Sequence, residues 1–172
     1  MNKTGTLRAV MLTASAVVLL AVIWIVIFTK ASPKTPATAP QVSAVLAENG
    51  LIATDLTGAY REKWSIDTAL KAAVGTEEND LRFDFFVFDT ANTAERFRKD
   101  YQTFIREERY ATPNIEVSEG AANFVLYTLK ADGLYTVNVR VENTLVFAYC
   151  RTENAERLDA VMRGIGYFDA QP

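Results

Sequence analysis

Histidine is absent from all 172 residues of the chain. That removes the commonest general base near neutral pH and the commonest ligand of zinc, copper and iron, so Ser-His-Asp and Cys-His catalysis are excluded. Cysteine occurs once, at Cys150, which excludes an intrachain disulfide, a CxxC redox pair and a thiolate metal cage. Acidic residues are missing from the first 40 positions, where Lys3, Arg8, Lys30 and Lys34 are the only charged side chains. Taking those four from the 18 Lys and Arg leaves 14 basic against 21 acidic side chains, so the rest of the chain carries a net charge of −7. A body that acidic, with no basic stripe, repels phosphate backbones, and nucleic acid is not expected as a partner. Gly164-Ile165-Gly166 sits at the end of a helical pattern and lacks the third glycine of a dinucleotide loop. No cofactor, no metal and no catalytic residue is expected.

What the chain does have is one long apolar run. Ala9–Phe28 contains 20 uncharged residues dominated by Val, Ile, Leu and Ala. At about 1.5 Å per residue such a helix reaches roughly 30 Å, the hydrocarbon thickness of a bilayer. A secretory h-region is shorter, about 7 to 15 residues, and the small-x-small site Ala37-Thr38-Ala39 is followed directly by Pro40. The expectation is an uncleaved signal anchor: residues 1–8 a short tail, 9–28 a transmembrane helix, 29–40 a Pro/Ala/Thr tether and 41–172 a single domain. With the tail inside, the body lies outside the cytoplasm, on a single-pass protein whose partner is the membrane itself. Three of the chain's five prolines, Pro33, Pro36 and Pro40, fall in the tether, whose extended reach is roughly 40 Å.

The body alternates in period. Val42, Val45 and Leu46 before Asn49-Gly50 suit a short helix with Gly50 in the left-handed C-terminal position. Residues 51–67 read ambiguously. "TALKAAV" and "LRFDFFVF" flank the acidic turn "GTEEND" as a hairpin. Ala94, Phe97, Tyr101, Phe104 and Ile105 recur at helical spacing, with Asn92 and Glu95 spaced as a capping box. After a loop around Pro113, "NFVLYTL", "YTVNVRV" and "TLVFAY" form a meander turning at Asp132-Gly133 and Glu142-Asn143. A last helix carries Ala155, Leu158, Val161, Met162 and Ile165 on one stripe. The fold class is α+β: a mainly antiparallel sheet of about five strands against two or three helices, behind the transmembrane helix.

"FVFDTANTAERF" from Phe86 and "FAYCRTENAERL" from Phe147 share Phe, Ala, Glu and Arg at matching places, which admits a degenerate strand-helix repeat. Together with "VENTLVFAY" and the final "IGY", these segments resemble uncharacterised small bacterial ectodomains of the lipoprotein-like, membrane-anchored kind. The resemblance covers roughly residues 42 to 168; it implies an α+β fold and a cell-envelope location, and no catalytic residues. The chain departs from lipid-anchored members in lacking an N-terminal cysteine.

The acidic groups read as solvated. Glu77, Glu78 and Asp80 lack the alternation of a calcium loop, and nothing brings Glu107 with Glu108, or Glu116 with Glu119, over a cleft. Cys150 reads as a small packed side chain. Hairpin arithmetic is more informative. A two-residue turn at Glu142-Asn143 pairs Val141 with Thr144, Val139 with Val146 and Val137 with Ala148; the turn at Asp132-Gly133 adds Phe124, Leu126 and Thr128 to the same face. The second and third body helices, with Phe83 and Phe85, are expected on that face. The opposite face collects Tyr127, Asn138, Arg140, Phe147 and Tyr149, joined by Phe86 and Phe88, and is the candidate binding face. Its other reading is an internal cover by Leu46, Leu51, Ile52 and Trp64. The function expected is a non-catalytic, membrane-tethered extracytoplasmic binding or accessory domain of the cell envelope, partnered by an envelope protein. A structural subunit of a membrane complex and a histidine-independent envelope enzyme are the alternatives.

Overall fold

A computed structural model describes residues 33–78, 80–105, 115–121 and 123–169. In chain order these form α1 (Ala39–Glu48), β1 (Thr54–Asp55), α2 (Thr57–Trp64), β2 (Leu70–Glu78), β3 (Leu81–Phe88), α3 (Ala91–Phe104), β4 (Ile115–Ala121), β5 (Phe124–Ala131), β6 (Leu134–Val141), β7 (Thr144–Arg151), a 3-10 turn at Thr152–Asn154 and α4 (Ala155–Gly164). The described strands make one antiparallel sheet in the order β1-β2-β3-β7-β6-β5-β4. The sheet has seven strands where about five were expected. The additions are its two edges: β1 is only two residues long, and β4 runs through what read as a loop.

The meander has the predicted register. Val141 pairs with Thr144, Val139 with Val146 and Val137 with Ala148, while Phe124, Leu126 and Thr128 face Val141, Val139 and Val137. Asp132 and Gly133 both take positive φ, 51° and 75°, the conformation a two-residue hairpin turn needs for the right-handed strand twist. Strand alternation then gives the sheet an aliphatic face and an aromatic one.

Helices cover both faces, and this corrects the expected packing. α4 lies on the aliphatic face, where Tyr135 Oη donates to Asp159 Oδ1 at 2.9 Å and Leu158, Val161 and Met162 are fully buried. α1 packs beside it, Val45 meeting Gly164. α3 goes to the aromatic face instead, because its apolar stripe is itself aromatic: Phe97 and Tyr101 stack on Phe88 and Phe147. The repeated phrase therefore leads to helices on opposite faces. After β3 the chain enters α3 directly through the Thr90 cap, whereas after β7 the 3-10 turn intervenes. The shared letters serve a strand-to-helix junction.

Helix starts differ from the expected ones in two places. Thr90 caps α3, its hydroxyl accepting from Thr93 N at 3.1 Å, so Asn92 lies inside the helix and Glu95 is free for ion pairs. Thr38 and Gln41 form the capping box of α1, with Pro40 in its first turn. Residues 33–40 are consequently part of the folded body and no tether. Asn123 exchanges hydrogen bonds with Lys34 N and O at 3.2 and 2.7 Å, and Ala37 N donates to Tyr167 Oη at 3.0 Å. Gly50 takes the predicted left-handed position, φ 68°, behind α1.

The membrane assignment is also corrected. No helix among the described residues is long and apolar enough to cross a membrane. The longest is α3, 14 residues that include Glu95, Arg96, Arg98, Lys99 and Asp100. Nothing in the described fold supplies the span on which a signal anchor, an integral membrane partner and a single-pass, extracytoplasmic location depended. The run Ala9–Phe28 itself, with residues 1–8 and 29–32, lies outside the described residues.

Candidate functional site

All seven residues of the candidate binding face share one face of the sheet. That face is closed. Phe86 and Phe88 are fully buried, Phe147 is 5% exposed, and Tyr127 and Asn138 are fully buried. Tyr60 and Trp64 of α2 sit with ring centroids 4.9 and 5.2 Å from Phe86, and Phe97 of α3 lies 4.9 Å from both Trp64 and Phe88. Of the expected cover residues only Trp64 contributes; Leu46 belongs to α1 and Ile52 is 74% exposed.

The polar residues on this face hold the cover down. Asn138 Nδ2 donates to Arg98 O, a backbone carbonyl of α3, at 2.9 Å. Arg140 Nε donates to Glu95 Oε2 at 2.9 Å, and Arg98 forks onto both oxygens of the same carboxylate at 2.9 Å. The hydrogen bond from Arg98, reinforced by the charge of Arg140, holds the Glu95 carboxyl below its ordinary range. Tyr149, half-buried, sits 6.0 Å from Phe147 and opens toward the end of the sheet.

A second network, missed from the sequence, lies at that end. Arg82 Nε donates to Asp84 Oδ2 at 2.7 Å, its Nη2 to Tyr60 Oη at 2.9 Å and its Nη1 to the exposed Glu77 at 3.3 Å. Asp84 is 2% exposed on the aromatic face of the sheet, opposite Phe147. Burial raises its carboxyl pKa, with Arg82 offsetting part of the shift, and burial likewise pushes Tyr60 up to about 12. Gly75 on β2 makes room for the carboxylate, since a Cβ there would stand 2.7 Å from Asp84 Oδ1. The signal was present in "LRFDFFVF": two charged residues of opposite sign at i and i+2 point to the same face as Phe86.

Beyond Arg82 the sheet ends in a cleft of about 540 Å³ between the β2–β3 and β5–β6 hairpin tips. Glu77, Asp80, Arg82, Asp132, Tyr149 and Arg151 are among its lining residues. Arg151 Nε reaches Asp80 Oδ2 at 3.0 Å and Arg82 Nη1 reaches Glu77 Oε2 at 3.3 Å, while Glu78 Oε1 accepts from Ile52 N at 3.0 Å, so each of the three tip acids has a protein partner. Among the described residues, no group of three or more His, Cys, Asp or Glu side chains is placed to hold a metal ion. Cys150 is buried and its thiol is pushed up to about 11 by that burial, the state of a packed side chain. Glu107 and Glu108 lie outside the described residues; Glu116 and Glu119 are on β4, opposite Leu129 and Leu126.

No protein-family model and no curated protein matches the chain. Among solved structures, the crystal structure of a GTP binding regulator from Thermotoga maritima is similar at 14% identity and a TM-score of 0.45, over 77% of this chain and 90% of that one. A likeness at that level carries nothing over to this chain.

Proposed function

We propose that the chain is a non-catalytic binding or accessory domain, and that its partner-facing surface is the hairpin-tip cleft and not the aromatic sheet face. The observation that supports this reading is the cleft's construction. Arg82, anchored from behind by the buried Asp84 and by Tyr60, presents a guanidinium edge to an open, mixed-charge surface between two hairpins. A docking surface needs that kind of support, whereas the aromatic face already spends its area on α2 and α3. The groups with perturbed protons favour binding over chemistry: Asp84 is clasped by Arg82, and the Cys150 thiol is held neutral inside the body.

The test is site-directed photocrosslinking of the full chain in the cells that make it, with the photoreactive residue at Asp132 or, as control, at exposed Glu48 on α1. Adducts to one protein from position 132, abolished by Arg151→Glu, are expected. Adducts from position 48 alone would move the binding surface elsewhere, and adducts from neither would sink the binding reading.

A further inference from the structure

Among the described residues two large apolar side chains are exposed, Ile52 at 74% and Phe104 at 44%. A single exposed aliphatic is ordinary on a protein surface. Ile52 differs in how its backbone is held. The chain leaves α1 through Gly50, whose φ of 68° turns it, and Leu51 N donates to Leu46 O at 2.9 Å. Arg157 Nη2, reaching from α4, donates to Asn49 O at 3.1 Å and to Gly50 O at 3.2 Å. Leu51 is buried, and Ile52 N donates to Glu78 Oε1 at 3.0 Å. The turn is thus tied to α1, α4 and β2 while it holds an aliphatic side chain out in water. Glu78 is also a wall of the hairpin-tip cleft, so Ile52 stands beside that cleft.

We propose that Ile52 is the apolar anchor of the docking surface at the hairpin tips, and that the partner is a protein with an apolar socket rimmed by basic side chains. The inference rests on the docking role of the cleft. A loop that must be ordered on binding costs free energy at that moment, whereas one already fixed by folding can seat its side chain in a socket at little further cost. An aliphatic anchor beside a polar rim is the arrangement that binding surfaces require. The sign of the partner's rim follows from the cleft, where Glu77, Glu78, Asp80 and Asp132 outnumber Arg82 and Arg151 and leave a net charge of −2. Opposite charge across an interface steers encounter and rejects partners of like charge. Arg151 is spent on Asp80, and a glutamate in its place would set two carboxylates against each other at the tip. The loss of docking expected from Arg151→Glu therefore agrees with a basic partner.

The experiment takes the full chain with the photoreactive residue at position 132, in the cells that make it, and measures adduct yield in Ile52 and Glu77 variants. Ile52→Asp should lower the yield by about tenfold or more, while Ile52→Leu, which keeps the apolar volume, should retain it. Glu77→Lys, which reverses one charge of the cleft, should lower it several-fold. Thermal midpoints equal to the wild type's verify that the fold is intact, as an exposed side chain predicts; if Ile52→Asp lowers the midpoint, Ile52→Thr, which keeps the branched shape, is measured in its place and should show the same loss of adducts. Wild-type yield from both the Asp and the Thr variants overturns the anchor and leaves the cleft as the docking surface. Equal loss with Ile52→Leu and Ile52→Asp overturns the apolar socket, and an unaltered yield with Glu77→Lys overturns the basic rim. Absence of adducts from position 132 in the wild type as well would remove the cleft reading itself, and the anchor with it.

Discussion

The ring of Tyr101 in α3 stacks on the ring of Phe147 in β7, with centroids 4.4 Å apart and planes 18° from parallel. This contact decides what the aromatic face is for. A ring sandwiched between helix and sheet contributes burial and an offset stack, which together hold α3 in place. Phe147→Ala should cost about 3 to 5 kcal/mol, read from denaturant midpoints at constant m-value. A cost under about 1 kcal/mol would mean that α3 does not cover the face in solution.

Two glycines on either side of the β2 edge should respond in opposite directions to the same change. At Gly75 a Cβ would stand 2.7 Å from Asp84 Oδ1 and from Leu56 Cδ1, and 2.8 Å from Phe83 O. Backbone cannot yield as a side chain can, so Gly75→Ala should destabilise by about 1 to 3 kcal/mol. At Gly58, inside α2, a Cβ meets nothing within 4 Å, and Gly58→Ala should stabilise by about 0.5 to 1 kcal/mol. Thermal unfolding of the two variants checks both signs at once.

The acid limb of stability should be set by two carboxyls working against each other. Glu95 has its folded pKa depressed, so its contribution is present above the unfolded value of 4.5 and is lost as pH falls through the folded pKa. Asp84 has its folded pKa raised, so its contribution is present below 3.8 and is lost as pH rises through the folded value. Between pH 7 and pH 3, Glu95→Gln should therefore lose less stability than the wild type, and Asp84→Asn should lose more. Denaturant midpoints across that range measure the two slopes; identical slopes in all three proteins would remove both assignments.

Much of the meander was legible because turn chemistry and strand period are both local. Asp132-Gly133 and Glu142-Asn143 fix register, and register fixes which of Phe147 and Val146 points which way. What covers each face was not legible, because choosing a face for α3 depends on matching Phe97 and Tyr101 to rings contributed by β3 and β7. β4 was hidden by its polar, glycine-containing sequence, which only pairing with β5 turns into a strand. The start of α1 was obscured by composition: Thr38 and Pro40 look like tether until the Gln41 side chain closes the capping box. The seven candidate residues share one sheet face, but the helices that pack over it are set by ring contacts that strand period does not encode.

The last prediction concerns the clasp at the end of the sheet. Arg82 is the only cation bonded to Asp84 among the described residues, and the Asp84 side chain is 3% exposed while that of Arg82 is 32% exposed. Removing the guanidinium strands a carboxylate in a site lined by Gly75, Leu56 and the aromatic rings, and removes the donor to Tyr60 that ties α2 to β3. Breaking a largely buried pair from one side is costly because the remaining charge has lost both water and partner. Arg82→Met should destabilise by about 3 kcal/mol. Adding Asp84→Asn to it should return part of that loss, since an amide asks far less of its surroundings than a carboxylate, and the double variant should be more stable than Arg82→Met alone. If the two losses simply add, Arg82 and Asp84 are not coupled in solution, and the cleft would lack the rigid backing on which its role as a docking surface depends.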